Sequence, residues 1–239
     1  MIDCHCHILP GLDDGAQTMD DSIAMAKQAV ADGISTIFCT PHTYAADLEQ
    51  QIQKRDDAIK QLRQKLKEEN IPLELIPGCE YCADGHSVEN AIERPTCRMG
   101  LRPDAPILVE LPFDLELHLI ADLNFRAQTR GVQMILAHPA RYNGFLDNVD
   151  MLKKCMDRGL WLQFNAMSFT LGVLFFKPVP KAMISLIKHN PEQILIGSDA
   201  HDSQHRTATI SCAKKTICDK LGEGIWKQIT EENPKNRLL

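Results

Sequence analysis

The stretch "DCHCHILPGLDDG", Asp3 to Gly15, alternates two histidines with two cysteines and closes on the acidic pair Asp13 and Asp14. Its reading depends on strand geometry. Residues two apart on a β-strand share a face, so His5 and His7 project one way and Cys4 and Cys6 the other. In a barrel of parallel strands the histidine face is the interior, and the cysteines meet the surrounding helices. An H-x-H on a strand is by itself as consistent with two hydrogen-bonded core histidines as with a metal site. What decides between them is what the other strands carry at the same level.

Downstream, short apolar or β-branched runs alternate with helical patterns. "TMDDSIAMAKQAVADG" has Thr18 and Asp21 placed as a capping box and Gly33 where a helix stops. "ISTIFCT" is the second strand. In "DLEQQIQKRDDAIKQLRQKLKEEN", Leu48, Ile52, Ile59, Leu62 and Leu66 recur at helical spacing. Strands three to seven are "LELIPGCE", "ILVELP", "VQMILAH", "LWLQFN" and "QILIGSDAH", with helices between them and one after Ser203. Seven β/α units without a low-complexity linker imply one α/β domain over residues 1–239, either a barrel or a doubly wound sheet.

Both folds place their chemistry at the carboxyl ends of parallel strands. Strand one ends in His5 and His7, with Asp14 just beyond; strand two ends in His42. Strands three, four and five end in Glu80, Glu110 and His138, and strand seven in Asp199 and His201. Six of the seven strand ends carry an imidazole or a carboxylate, where chance would scatter such residues over helix surfaces. The candidate metal ligands are therefore His5, His7, Asp14, His42, Glu80, Glu110, His138, Asp199 and His201. Nine donors exceed one tetrahedral zinc and suit two or three divalent ions. Mn2+ fits the oxygen-rich share best, with Fe2+ or Zn2+ as alternatives. Clustered ions would deprotonate a bridging water and stabilise phosphoryl charge. Arg141, three residues after His138, and Arg206, five after His201, are candidate catalytic phosphate binders, because guanidinium matches phosphate in a bidentate way. A metal-bound water, or His42 or His201 in a second role, is the candidate proton donor to the leaving group.

Other features are bland. Cys79 and Cys82 form a lone C-x-x-C with no second pair, read as a strand filler and a loop thiol. Cys39, Cys155, Cys212 and Cys218 read as small buried hydrophobes. No cysteine has an arginine six residues on, so a cysteine-nucleophile phosphatase loop is absent. No role is expected for His86, His118, His189 or His205, though His205 adjoins Arg206. There is no G-x-x-x-x-G-K-[ST] and no G-x-G-x-x-G. A net charge of −6 argues against general attraction to nucleic acid or anionic membranes. The start lacks an apolar signal core, and no apolar run reaches a membrane span, so the expectation is a cytoplasmic protein with reduced thiols and no membrane insertion. Oligomeric state is not encoded in these patterns.

The ordered set "DCHCHILPGLDDG", "TPHTY", "PGCEY", "ILVELP", "LAHPARY" and "GSDAHD" resembles the PHP (polymerase and histidinol phosphatase) superfamily. It is most similar to the metal-dependent protein-tyrosine phosphatases of bacterial capsule and exopolysaccharide loci. The resemblance implies a distorted, TIM-barrel-like (β/α)7 barrel with a trinuclear site at its carboxyl face. It also implies hydrolysis of phosphotyrosine, typically on the tail of a polysaccharide-assembly tyrosine autokinase. The family's ligands fall on the nine positions above, and its phosphate-binding arginines on Arg141 and Arg206. The chain departs from the family at Ala140, at Thr43-Tyr44 and at Asp202, none of which is a ligand position. Three rival readings are a PHP phosphatase for a small ester such as histidinol phosphate, an amidohydrolase-type C–N hydrolase, and a non-catalytic protein with a decayed site.

Overall fold

The computed structural model describes residues 1–83, 88–113, 119–171 and 178–239; His86 and His118 lie outside them. Seven staves of parallel strand alternate with helices, as the sequence implies. Two staves are interrupted, which gives nine strands: β1 (Ile2–Cys6), β2 (Thr36–Cys39), β3 (His42–Thr43), β4 (Glu74–Pro77), β5 (Glu80–Cys82), β6 (Ile107–Glu110), β7 (Met134–Ala137), β8 (Trp161–Asn165) and β9 (Ile194–Gly197). The breaks fall beside Pro41 and at Pro77-Gly78, where proline cannot donate to a ladder. Backbone bonds nonetheless bridge both breaks: Gly78 N–H donates to Cys39 O at 3.0 Å and Glu80 N–H to Pro41 O at 3.1 Å.

The lower strands run β1-β2-β4 and the upper β3-β5-β6-β7-β8-β9. Below β5, the segment Arg98–Gly100 fills the space between β4 and β6. Gly100 N–H donates to Pro77 O, Met99 N–H to Pro106 O, and Arg98 bridges Ile107 in antiparallel fashion. This insertion is the distortion of the barrel. On the other side, Asp199 N–H donates to His5 O at 2.8 Å and His7 N–H to Ala200 O at 2.9 Å, joining β9 to β1.

The helices are α1 (Met19–Ala31), α2 (Leu48–Glu68), α3 (Val88–Glu93), α4 (Leu119–Thr129), α5 (Val149–Met156), α6 (Ser168–Leu171), α7 (Pro178–His189), α8 (Lys214–Leu221), α9 (Glu223–Lys227) and α10 (Asn233–Arg237). The Thr18–Asp21 capping box opens α1, and Gly33 follows it with φ +86°. All five periodic apolar residues of α2 are buried.

Two apolar clusters form. The larger lies between strands and helices. The smaller fills the barrel floor with Ile2, Cys4, Phe38, Leu108, Ile135, Trp161 and Leu195, sealed by Leu238 near the chain's end. Here one expectation is corrected. Cys6 joins the strand–helix layer with Cys39, but Cys4 lies in the barrel floor. The register of β1 against β2 shifts between Asp3 and Cys6, and this irregularity inverts the strand's parity. The apolar floor and the histidine level above it therefore share one strand. The remaining cysteines divide as well: Cys39 and Cys155 are buried, whereas Cys212 is exposed in the turn before α8 and Cys218 is half-buried.

Candidate metal centre

The nine candidate ligands converge at the carboxyl end of the barrel. Their donor atoms group as His5–Glu80–His138, His5–His7–Asp199 and His7–Asp14–His42–His201, with a fourth group of His42, Cys82 and Glu110. Each group's donor atoms lie within 4.8 Å of one another. His5, His7 and His42 each belong to two groups, so the arrangement suits more than one ion. Register contributes directly: His42 pairs with Glu80 across β3 and β5, and Cys82 with Glu110 across β5 and β6. Gly197 makes room for β9 against β1, since a Cβ there would stand 2.6 Å from His5 Cβ and 2.8 Å from Gln163 Nε2.

The hydrogen bonding is that of residues arranged around a cation. His5 Nδ1 meets Gln163 Oε1 at 2.9 Å, His7 Nδ1 meets Asp13 Oδ2 at 2.7 Å, and His201 Nδ1 meets the Asp199 carbonyl at 3.0 Å. Each acceptor fixes the ring and assigns a proton to Nδ1, which turns Nε2 inward. The His5 and His7 Nε2 atoms stand 3.1 Å apart, each 3.2 Å from Glu80 Oε2. Glu80 Oε2 also lies 3.0 Å from His42 Nδ1, yet this fully buried oxygen has no hydrogen-bond partner. His138 Nε2 pairs with Glu80 Oε1 at 2.8 Å, while the other donor atoms crowd around shared points. The residues present fit divalent metal ions.

Electrostatics agree. Burial favours neutral Glu80, but His5, His138 and His42 outweigh it and hold the carboxyl well below its usual range. Burial likewise opposes charge on His138, and bonds to Glu110 and Glu80 overcome this to raise its pKa to about 9. His201 moves the other way: burial, followed by repulsion from His7, lowers it to about 4. Asp199 divides its two oxygens. Oδ1 faces His7 Nε2 at 3.5 Å and His5 Nε2 at 3.6 Å, while Oδ2 accepts from Arg206 at 2.6 Å, Asn165 at 2.6 Å and Arg141 at 3.2 Å. Both arginines thus stand at the rim, about a third exposed at 38% and 35%. Asp199 (φ 54°) and His138 (φ 31°) occupy left-handed backbone, strained for non-glycine residues and typical of functional positions.

Sequence reasoning missed several residues. Asp13, left unassigned beside Asp14, binds His7. Gln163 and Asn165 end β8, the one strand without a ligand type, and serve as orienting amides; their two-residue spacing on an apolar strand was the available signal. Cys82 is corrected from a loop thiol to the last residue of β5, with Sγ 3.3 Å from both His42 Nδ1 and Glu110 Oε2. Burial and then Glu110 raise its thiol pKa well above the usual range. Of the other histidines, His205 is exposed and His189 pairs with Asp157 at 2.8 Å on the surface.

A parallel β/α barrel with such a cluster at its carboxyl end defines a class, the barrel hydrolases with a candidate multi-metal centre. Within it, the chain belongs to the CpsB/CapC family of capsular polysaccharide synthesis, whose model matches residues 1–239. It is 32% identical to tyrosine-protein phosphatase YwqE of Bacillus subtilis (strain 168) over 231 residues, covering 97% of this chain and 89% of the relative. Among solved structures, it superposes with a TM-score of 0.85 and 31% identity on one from the work on YwqE and on CpsB of Streptococcus pneumoniae, described as unique metal-dependent tyrosine phosphatases. That match covers 100% of this chain and 94% of the other. A lactonase, Lmo2620 of Listeria monocytogenes, matches at a TM-score of 0.64 and 14% identity over 100% of this chain and 94% of the other, which shows the shared fold alone. Among the described residues, no helix is long and apolar enough to cross a membrane.

Proposed function

We propose that this chain is a metal-dependent protein-tyrosine phosphatase acting in capsular or exopolysaccharide synthesis, with all of residues 1–239 working as one domain. The observation that carries the reading is Asp199. One oxygen faces the imidazole cluster while the other gathers Arg141 and Arg206 at the mouth. A phosphoryl group entering there exchanges the arginines' shared carboxylate oxygen for its own oxygens. A C–N hydrolase has little use for such a clamp.

His5, His7, Asp14, His42, Glu80, Glu110, His138, Asp199 and His201 would hold two or three divalent ions, Mn2+ first, with Fe2+ or Zn2+ as alternatives. Bound there, the ions would supply an acidified water as nucleophile and neutralise developing phosphoryl charge. Arg141 and Arg206 hold the equatorial oxygens, as a loose transition state requires. His42 or His201 would protonate the leaving phenolate only in a second role, from a ring not engaged by an ion. His42 is the better placed, at 17% side-chain exposure against 6%, with its ring 6.4 Å from that of Tyr44.

Two large exposed aromatics flank the mouth and favour an aryl ester over a small alkyl phosphate. Tyr44 is 52% exposed and Phe113 39%, the latter lying 4.7 Å beneath the Arg141 guanidinium. The partner of that chemistry is a phosphotyrosine protein, in this family setting the tail of a polysaccharide-assembly autokinase, met in the cytoplasm. The test compares a phosphotyrosine peptide with histidinol phosphate at equal concentration with Mn2+. Faster turnover of the peptide, abolished by chelator, is expected. Preference for histidinol phosphate, or a chelator-resistant rate, overturns the reading.

A further inference from the structure

We infer that Cys82 is itself a metal ligand, forming with His42 and Glu110 a soft-donor position at the edge of the centre. The inference rests on the metal-centre reading above and extends it to a residue type outside the nine nitrogen and oxygen donors.

The argument starts from parity. Glu80 and Cys82 are two apart on β5, so they share a face, as His5 and His7 do after the irregularity in β1. Register then sets Cys82 opposite Glu110 and Glu80 opposite His42. The outcome is Sγ at 3.3 Å from His42 Nδ1 and 3.3 Å from Glu110 Oε2, with the Glu80 carbonyl at 4.0 Å and the Tyr44 hydroxyl close by. The second observation is the unpartnered, fully buried Glu80 Oε2, which lies 3.0 Å from the same His42 Nδ1 and 3.2 Å from the His5 and His7 Nε2 atoms, so the Cys82 position adjoins the rest of the centre through His42. Without an ion the Cys82 S–H donates to Glu110 Oε2; the donor atoms of Cys82, Glu110 and His42 nonetheless lie within 4.8 Å of one another, close enough for one cation to take that proton's place. On binding, the cation replaces the S–H proton, which leaves to solvent. A thiolate donor selects zinc-like ions over manganese, so this position differs in preference from the nitrogen- and oxygen-only groups.

The test uses Co2+ as probe on the full chain after chelation. Wild-type protein is expected to show both ligand-field bands and a near-ultraviolet thiolate-to-cobalt charge-transfer band. Cys82→Ser should keep the first and lose the second. Ligand-field bands without charge transfer in the wild type overturn the inference and leave the metal centre standing. Charge transfer that persists in Cys82→Ser assigns it to another thiol and overturns the inference as well. No cobalt bound by the wild type overturns the metal-centre reading itself. Should Cys82→Ser not fold, X-ray absorption of zinc-loaded wild type decides: a sulfur shell at about 2.3 Å supports the inference, and a shell of nitrogen and oxygen alone at about 2.0–2.1 Å overturns it. In a folded Cys82→Ser protein, zinc affinity should fall roughly tenfold or more while manganese affinity changes far less.

Discussion

Asp13→Ala tests whether the centre depends on residues that touch no ion. The Asp13 side chain is 5% exposed and holds three donors: His7 Nδ1–H at 2.7 Å, the His42 amide at 2.9 Å and the Gly15 amide at 2.9 Å. Gly15 is needed for this turn, because a Cβ there would sit 2.4 Å from His7 Cβ. Removing the carboxylate leaves one buried ring and two amides unpaired. Leaving a buried donor unsatisfied costs about 1–3 kcal/mol, which for a chain of this size lowers Tm by roughly 2–12 °C. The His7 ring also loses the acceptor that assigns its tautomer. Loss of such an outer partner weakens metal binding about 10–100-fold, or ~1.4–2.7 kcal/mol. Isothermal titration with Mn2+ and thermal unfolding with and without chelator read the two effects separately. The pH dependence is set by sign. Burial raises the Asp13 pKa, but the bond to His7 and the two amides overcome it, so the folded value lies below the ordinary one. Its stabilisation is present above the usual carboxylate range and disappears as pH falls through the folded value, so wild type and variant should begin to converge as pH falls below about 4. Mn2+ affinity within about threefold of wild type, well under the 10–100-fold expected, together with an unchanged Tm would refute the reasoning.

Gly197→Ala should cost about 1–3 kcal/mol or more and lower bound metal, since the new methyl meets His5 Cβ at 2.6 Å; wild-type Tm and metal content would contradict this. Arg206→Ala should reduce the phosphatase rate about 10²-fold with metal retained, and metal loss by elemental analysis would show that its role was misplaced. Asp3 is fully buried, and burial raises its pKa from 3.8 to about 6 despite bonds from the Ser198 and His5 amides. Its charged form therefore destabilises the fold as pH rises from about 4 to about 6 and fully above that, by about 3 kcal/mol in chelated protein. Asp3→Asn keeps an accepting oxygen, so its stability relative to wild type should improve between pH 4.5 and 7.5 in denaturant titrations; a constant difference would count against it.

Strand ends were the legible part of the sequence. A ligand type at the end of an apolar run is visible without knowing how the strands pair, and all nine candidates meet in space. Strand parity was legible only where the strand is regular. It places His5, His7 and Cys6, fails for Cys4 below the irregularity in β1, and holds again for Glu80 and Cys82 on β5. The orienting residues were hidden for a different reason. Asp13, Gln163 and Asn165 earn their roles from one particular neighbour each, and a linear sequence does not display neighbours. The interruption at Pro77-Gly78 was hidden because "LELIPGCE" reads as one run, and only pairing with different partners separates β4 from β5.

The hydrogen bonds that join β9 to β1 carry a consequence for timing. His5 and His7 leave the ribosome before Asp199 and His201, which follow after more than 190 further residues. At ordinary elongation speeds of ~5–20 residues per second, the first histidines wait roughly ten to forty seconds for their partners. A cation meeting the nascent chain in that interval lacks the two groups that include Asp199 and His201. Those two groups would form last, when the two ends of the strand ring dock, and selection among metal ions would be completed only in the finished barrel.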